Sequence, residues 1–495
     1  MTLGRLRTVG TLLGMVCLLA PRGAARATMF VVNSTADSVD ATTADGICAD
    51  AQGRCTLRAA IQQANADAVQ DMIVLDGTTY PLTIPNGAVG EDSSLTGDLD
   101  IRQPVIIAGA GAPITIIDGG ALDRVFDIFA PTTISALTIR NGHSLADGGG
   151  IENFDHLTLT NVTITGNRAD GDGGGVSTAN DVTFTNVTVS GNTVAATHVG
   201  GGISHDGGTL TLVNVTVSGN SATAGGGIEN ADSAVLTNVT IANDTGSGFD
   251  NQGPFNVPPG TATLNNVLLA NNGTNCTGGA LAGNAHNMET GASCLFGTAG
   301  SNKNPLLASL ADNGGPTFTH ALGAGSPAID TAGSPCPSTD QRGAARPIDG
   351  DGNAVALCDI GAYEFAGVPP TTTTSTTTTT MPPPCLLDVD GNGRVTVSTD
   401  VVYIARYLLG LTPVPSSFRV IDPTVPPDST IAAAIDMARP SLDVDGNGRV
   451  EVSTDIVYVA RYLLGLTPVP PSFRTIDPTI PPDATIAANV DALCP

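Results

Sequence analysis

The chain has 495 residues, with 60 Gly, 33 Pro, no Trp and only 13% charged residues, a turn-rich composition with room for two or three β-dominated domains. Its formal charge of −26 and pI near 4.2 weigh against nucleic acid and anionic membrane as partners, since both select a basic face.

Residues 1–27 read as a secretory signal. Arg5 and Arg7 precede an apolar run from Val9 to Ala20, and Ala25-Arg26-Ala27 supplies a small-x-small site that predicts cleavage before Thr28. Cys17 lies within the run, but Gly14-Met15-Val16-Cys17 is a poor site for lipid attachment. No later stretch is long and apolar enough to span a bilayer. Eight of the nine cysteines remain after cleavage, an even number that suits an oxidising compartment. They fall into local pairs, Cys48 with Cys55, Cys276 with Cys294, Cys336 with Cys358 and Cys385 with Cys494, one pairing among roughly a hundred. The absence of Cys-x-x-Cys weighs against zinc.

From Thr28 the chain enters a strand, Phe30 to Asn33, and then an acidic loop bounded by Cys48 and Cys55. In the next stretch Leu57, Ala60, Ile61 and Ala64 share one helical face. A short helix here would cover the end of a stack of strands and shield its unpaired edge. The run Cys55-Thr56-Leu57-Arg58-Ala59-Ala60-Ile61, followed by Gln62-Gln63-Ala64-Asn65 and Ile73 to Tyr80, resembles the CSLREA-type N-terminal domain of secreted bacterial β-helix proteins. Two of the motif's seven letters depart from the family pattern. The resemblance implies location and fold and defines no reaction.

Further strands follow at Val105 to Ile107, Ile114 to Ile117 and Ile134 to Ile139, and then a regular repeat begins. Gly148-Gly149-Gly150-Ile151, Gly173-Gly174-Gly175-Val176, Gly200-Gly201-Gly202-Ile203 and Gly225-Gly226-Gly227-Ile228 recur every 25 to 27 residues. Each leads into alternating strands with an Asn-Val-Thr at Asn161, Asn186, Asn214 or Asn238, and then a second asparagine at Asn167, Asn192, Asn220 or Asn243. A period of this length holding two or three short strands fits one coil of a parallel β-helix. Alternation such as Leu157-Thr158-Leu159-Thr160 sends the aliphatic residue inward and Thr outward. Coils ~4.8 Å apart would stack equivalent asparagines into amide ladders, with the glycines supplying positive-φ bends. The Asn-Val-Thr triplets are also N-glycosylation sequons, but their repeat position accounts for them without glycans.

Residues 263–269 look like a last, degenerate coil. Beyond it Asp312-Asn313-Gly314-Gly315-Pro316-Thr317, Gly325 to Asp330, Asp340-Gln341-Arg342-Gly343 and Cys358 to Glu364 are similar to the C-terminal cap of surface β-helix proteins. That resemblance predicts a lid over the second open end and suggests an Arg342–Glu364 pairing. Residues 368–384 form a Thr- and Pro-rich linker of at most ~50 Å in polyproline form.

The remaining residues, 385–495, carry a second repeat offset by 55 positions: Leu387 to Val395 recurs as Leu442 to Val450, and Tyr403 to Gly410 as Tyr458 to Gly465. Its core is Asp-x-Asp-x-Asn-Gly, in which alternate residues of a tight loop aim oxygens at one hard cation and Gly allows the sharp turn. The first loop predicts calcium on Asp388, Asp390, Asn392, the Arg394 carbonyl and Asp400, with Thr396 a further candidate. The second predicts Asp443, Asp445, Asn447, the Arg449 carbonyl, Glu451 and Asp455. Asx-turns without metal are the alternative. The pattern resembles dockerin modules, which implies docking to a cohesin-like partner. Two departures qualify the carry-over: the closing Asp falls at loop position 13, and about 30 residues separate the copies. In the following helices Val401, Ile404, Ala405 and Leu408, and Ile456, Val459, Ala460 and Leu463, form faces suited to the module's own core. The Ser398-Thr399 and Ser453-Thr454 pairs are the better partner contacts. Asp349-Gly350-Asp351-Gly352-Asn353 lacks Gly at position six and reads as a turn.

Parallel β-helices include pectate lyases and polygalacturonases, so catalysis is a reading by analogy of fold. A lyase needs an Arg or Lys base beside clustered carboxylates. Arg140 and Arg168 flank a turn with Asp147, Asp170 and Asp172 where such a cluster would form. An inverting hydrolase needs two carboxylates ~6.5–9.5 Å apart, which Asp170 and Asp172 would supply. His143 and His205 read as solvated turn residues, and scarce aromatics leave no evident platform for sugar rings. The expectation is a mainly β protein: a right-handed, pectate-lyase-like parallel β-helix over 28–303 with a cap at 304–367, then the dockerin-like calcium module. Its expected role is extracellular adhesion or display, with a cohesin-like protein or a polysaccharide as partner. Polysaccharide degradation is the alternative, and a carbohydrate-binding scaffold without turnover is a third reading.

Overall fold

The computed structural model describes residues 27–66, 68–87, 93–252, 259–283 and 286–367 and, further on, 386–387, 389, 401–408, 431, 435, 438–444, 449–450, 455–463 and 481–493. The first of these stretches wind into a parallel β-helix. One coil is built from Ile151–Asn153, Leu157–Thr160, Thr163–Thr165 and Arg168–Ala169. Every rung pairs in parallel with its counterpart a coil away: Leu157 with Val182, Val182 with Leu210, Leu210 with Ala234 and Ala234 with Ala262. The rungs assemble sheets of 17, eight and three strands.

The alternation of the sequence is realised as a column with an aliphatic inside. Leu159, Phe184, Leu212, Leu236 and Leu264 stack through the large sheet, all fully buried, and each such side chain stabilises the fold by about 1.5–3 kcal/mol. The column is longer than the repeat suggests. Leu281–Gly283 and Met288–Glu289 pair with Ala262 to Leu264 and with Leu268 and Leu269, adding a coil beyond the one expected to be last.

Two kinds of turn hold the coils in register. Asn161, Asn186, Asn214 and Asn238 adopt left-handed backbone at φ between +53° and +56°. Their side chains link coils, Asn186 Nδ2 donating to Asn161 Oδ1 at 3.2 Å and Asn214 Nδ2 to Asn186 Oδ1 at 3.4 Å. The sequons are therefore ladder positions. The glycine triplets divide their work: only the first of each, Gly148, Gly173, Gly200 and Gly225, has positive φ. The other two are needed because triplets of successive coils lie backbone on backbone, so that a Cβ on Gly150 would stand 2.6 Å from the Gly175 carbonyl oxygen. A second ladder runs Asn167, Asn192, Asn220 and then Asp244, with Nδ2 to Oδ1 distances of 3.0 Å at each step. The sequence pattern placed its last member one residue too early, at Asn243.

Helix Leu57–Ala64 closes the N-terminal end, Thr56 accepting at its N-cap from the Ala59 amide at 3.1 Å. Leu57, Ala60, Ile61 and Ala64 join the interior cluster of the column. Buried Arg58 pairs with Asp37 at 2.6 Å and donates to the Gly97 and Asp98 carbonyls. Disulfides join Cys48 to Cys55, Cys276 to Cys294 and Cys336 to Cys358; Cys385 and Cys494 lie outside the described residues.

The segment expected as a lid, 304–367, instead runs along the flank of the column. Gln341 Nε2 donates to Thr188 Oγ1 at 2.9 Å, Asn214 Nδ2 to the Thr339 carbonyl at 2.9 Å, and the Ala362 amide to Thr240 Oγ1 at 3.0 Å. The outward Thr and Asn rows satisfy that segment's polar backbone, which an aliphatic column end does not do. Glu364 pairs with Arg346 at 2.8 Å, both fully buried, while Arg342 binds Asp340 and the Glu364 carbonyl. In the C-terminal part, Val401, Ile404, Ala405, Ile456, Val459 and Ala460 are buried in one apolar cluster, with Leu408 and Leu463 packed against it. The same cluster takes in Met72, Val74, Ile106 and Ala108 of the first coils. Among the described residues no helix is long and apolar enough to cross a membrane.

Candidate functional site

The eight-stranded sheet carries the chemistry. Its strands are short, and the residue after each core-facing Ile, Val, Leu or Phe points away from the core, so that pairing stacks Asp100, Asp127, Glu152, Ser177, Ser204, Glu229 and Asp250 in one outward row. The positive-φ glycines roof this row. A Cβ on Gly225 would lie 2.6 Å from Glu229 Cβ, and one on Gly148 2.7 Å from Glu152 Cβ. Glu229 is fully buried in consequence. Its Oε2 accepts from Ser204 Oγ at 3.0 Å, whereas Oε1 has no hydrogen-bond partner among the described residues. Burial, followed by the charge of Asp206, pushes its carboxyl up to about 8. At the other end of the row, burial and the neighbouring Asp100 push Asp98 up to about 8, although Arg124 stands 3.3 Å away. The Arg124 guanidinium also pairs with Asp127 and Glu152.

Two residues further along each strand a second row emerges on the same face, and this one is open. Its members are Arg102, Phe129, Phe154, Ala179 and Asp206; the amides of the last four donate to the coil before at 2.8–3.0 Å, and the Arg102 amide donates to Asn65 Oδ1 at 2.7 Å. The rings of Phe129 and Phe154 are stacked, centroids 5.3 Å apart and planes 13° from parallel, and the Arg102 guanidinium lies 4.7 Å over Phe129. Phe154 is 45% exposed. Ala179 and Asp206 are also exposed. The composition had suggested that no such platform existed. The signal was present as a shared offset: Phe126-Asp127-Ile128-Phe129 and Ile151-Glu152-Asn153-Phe154 align within the 25-residue period.

The turns opposite add carboxylates. Asp147 Oδ1 accepts from the Asp172 amide at 2.7 Å, and Asp172 Oδ1 accepts from the Val199 amide at 2.7 Å with His198 Nδ1 at 3.1 Å. Desolvation, then the charges of Asp172 and Asp147, push Asp206 up to about 6 even though the residue reaches solvent. Of the two cations expected in this turn, Arg140 instead holds Asp118 at 2.8 Å, whereas Arg168 holds Asp170 of the expected group at 2.7 Å, with His143 at 3.5 Å. His205 is a buried strand residue and no turn residue. It faces the interior in a polar ladder with Asn153, Thr178, Asn230 and Asn251, its Nδ1 2.8 Å from Asn230 Oδ1.

Asp349 to Asn353 forms a turn, as its spacing implied. Asp330 and Asp349, which approach Asp351, accept amides of the loop itself, Gly350 and Asp351 donating to Asp330 Oδ2 at 2.9 and 2.8 Å. Of the predicted calcium ligands, Asp388, Asp390, Asn392, Arg394, Asp400, Asp445, Asn447 and Glu451 lie outside the described residues. Asp443 is half-buried, Arg449 exposed and Asp455 fully buried.

Fold and site together define a parallel β-helix with one aromatic and acidic ladder face. No protein-family pattern matches the chain, and no curated protein matches it. Among solved structures the chain is similar to the crystal structure of pectate lyase Pel9A, at 13% identity over 69% of this chain and 98% of that one, with a TM-score of 0.39. A likeness that distant carries no argument about activity, and the assignment of the fold rests on the strand register.

Proposed function

We propose that the chain is a secreted or surface-displayed adhesion protein whose eight-stranded sheet holds an extracellular glycan, with the C-terminal module as a calcium-dependent docking or anchoring element. The observation that carries this reading is the exposed Phe129–Phe154 stack in register with Asp206. Flat apolar rings beside oriented carboxylates are the combination that grips a sugar, one binding its C–H face and the other its hydroxyls. Three disulfides suit an oxidising, extracellular setting. The all-oxygen donor sets on Asp388 to Asp400 and Asp443 to Asp455 match a hard cation, and a cohesin-like protein is the partner such a module would take.

The alternative, polysaccharide degradation, is favoured by one observation: Glu229 is held protonated close to Asp206, as a general acid beside a base would be. Against it, Gly225 roofs Glu229, and Arg124, Arg140 and Arg168 are tied in ion pairs where a lyase needs a free base. Retention of the intact secreted protein on immobilised glycans, with release of reducing or unsaturated ends followed in parallel, tests both. Retention weakened in Phe154→Ala without release of ends is the expected result. Release abolished by Glu229→Gln would replace the adhesion reading with the enzymatic one.

A further inference from the structure

Resting on that glycan reading, we propose that a pyranose ring bearing a protonated amine seats over Ala179, with its C–H face on Phe154 and its amine toward Asp206. The open row is a ladder with one rung missing. Arg102, Phe129 and Phe154 fill three successive positions with flat groups in mutual contact. The fourth position, Ala179, ends at its Cβ and is exposed, and the fifth returns to a full-sized polar side chain at Asp206. Coils are spaced ~4.8 Å apart. Phe154 and Asp206 are thus separated by two rises, space for one ring stacked on Phe154 with a hydrogen-bonding group directed at the carboxylate.

Charge selects the class of ring. Asp147 and Asp172, in the turns, act on Asp206 as like charges, and Glu229, held protonated and fully buried with its Oε1 lacking a hydrogen-bond partner among the described residues, is near enough to be influenced by Asp206. The basic side chains of the sheet and turns already have carboxylate partners: Arg124 is held by Glu152, Arg168 by Asp170 and His198 by Asp172. A uronic acid would add a like charge to this group. A neutral sugar would leave the carboxylates without a counter-charge, whereas an ammonium supplies one.

The test is calorimetric titration of the intact protein at neutral pH with a glucosamine oligomer, its N-acetylated counterpart, a glucose oligomer and a galacturonate oligomer. The expected result is binding of the glucosamine oligomer at least tenfold tighter than of the other three. Phe154→Ala should weaken it roughly three- to tenfold, and Asp206→Asn should bring its affinity down to that of the N-acetylated form. Ala179→Phe, an exposed substitution that completes the stack, should abolish binding while leaving the melting temperature unchanged. Equal affinity for the acetylated or neutral oligomers would overturn the amine assignment and leave the glycan reading standing. Amine-selective binding that survives Ala179→Phe would overturn the location. If no oligomer binds, both the slot and the glycan reading fall.

Discussion

Asp244 stands where an asparagine would continue the buried amide ladder below Asn220: its Oδ1 accepts both the Asn220 main-chain amide at 2.7 Å and the side-chain Nδ2 at 3.0 Å. Its Oδ2 has no hydrogen-bond partner among the described residues. Burial, only partly offset by those two bonds, pushes the carboxyl up to about 7. A group whose pKa is higher folded than unfolded contributes stability fully below its unfolded pKa, near 4, and loses it as pH rises through about 7. Asp244→Asn should therefore stabilise the protein by on the order of 1–3 kcal/mol at pH 8 and have little effect at pH 4, where the wild-type carboxyl is neutral. Thermal melts of both proteins across this range check it. A variant equally stabilised at both ends would show that ionisation of Asp244 is not the cause.

His205 works in the opposite sense. Burial lowers its pKa, with the Asn230 contact opposing. Stability held by the neutral imidazole is present above the unfolded pKa near 6.5 and is lost as pH falls through the lower folded value. His205→Asn, which continues the Asn153–Asn230 ladder type, should remove that part of the acid sensitivity. Denaturant midpoints above and below pH 6 provide the readout, and an unchanged pH slope would contradict the assignment.

The glycine triplets predict a contrast between two substitutions to alanine. Gly175→Ala brings a Cβ within 2.5 Å of the Gly202 carbonyl oxygen, so the stacked turns must separate; a loss of about 3 kcal/mol or more is expected. Gly219→Ala meets nothing within 4 Å and bears only the left-handed backbone cost at φ +68°, about 1–2 kcal/mol. Urea unfolding separates the two.

Calcium titration of the intact chain should give two binding events that vanish when Asp388→Ala is combined with Asp443→Ala, with half the heat lost in each single variant. An unchanged isotherm in the double variant would remove the calcium reading.

What the sequence revealed of this molecule was what its period repeats. Leu157 and Val182, or Asn161 and Asn186, can be laid over each other by eye, and the coil follows. Features that break the period were harder to read. Asn243 looked like a ladder member because it matched by residue type, while hydrogen bonding selects Asp244. His205 reads by residue type as a solvated turn histidine, although its offset matches the buried Asn230. The flank contact of 304–367 joins residues more than a hundred positions apart, such as Thr216 and Gln341, and no local pattern encodes that distance. Arg346 pairs with the Glu364 carboxylate while Arg342 takes only its carbonyl, a choice that the local sequence around the two arginines does not distinguish. The open row was hidden by composition, since few aromatics is a different statement from few aromatics in one place.

Whether the face bearing Phe154 receives a sugar can be read directly from magnetisation transfer. With 12 Phe, six Tyr and no Trp in the chain, saturation of the aromatic protons in a saturation-transfer NMR experiment illuminates few sites. Transfer to the ring C–H protons of a bound glucosamine oligomer is expected to be strong in the intact protein and sharply reduced in Phe154→Ala. Transfer that is absent in the intact protein, or undiminished in the variant, would contradict a sugar site on this face.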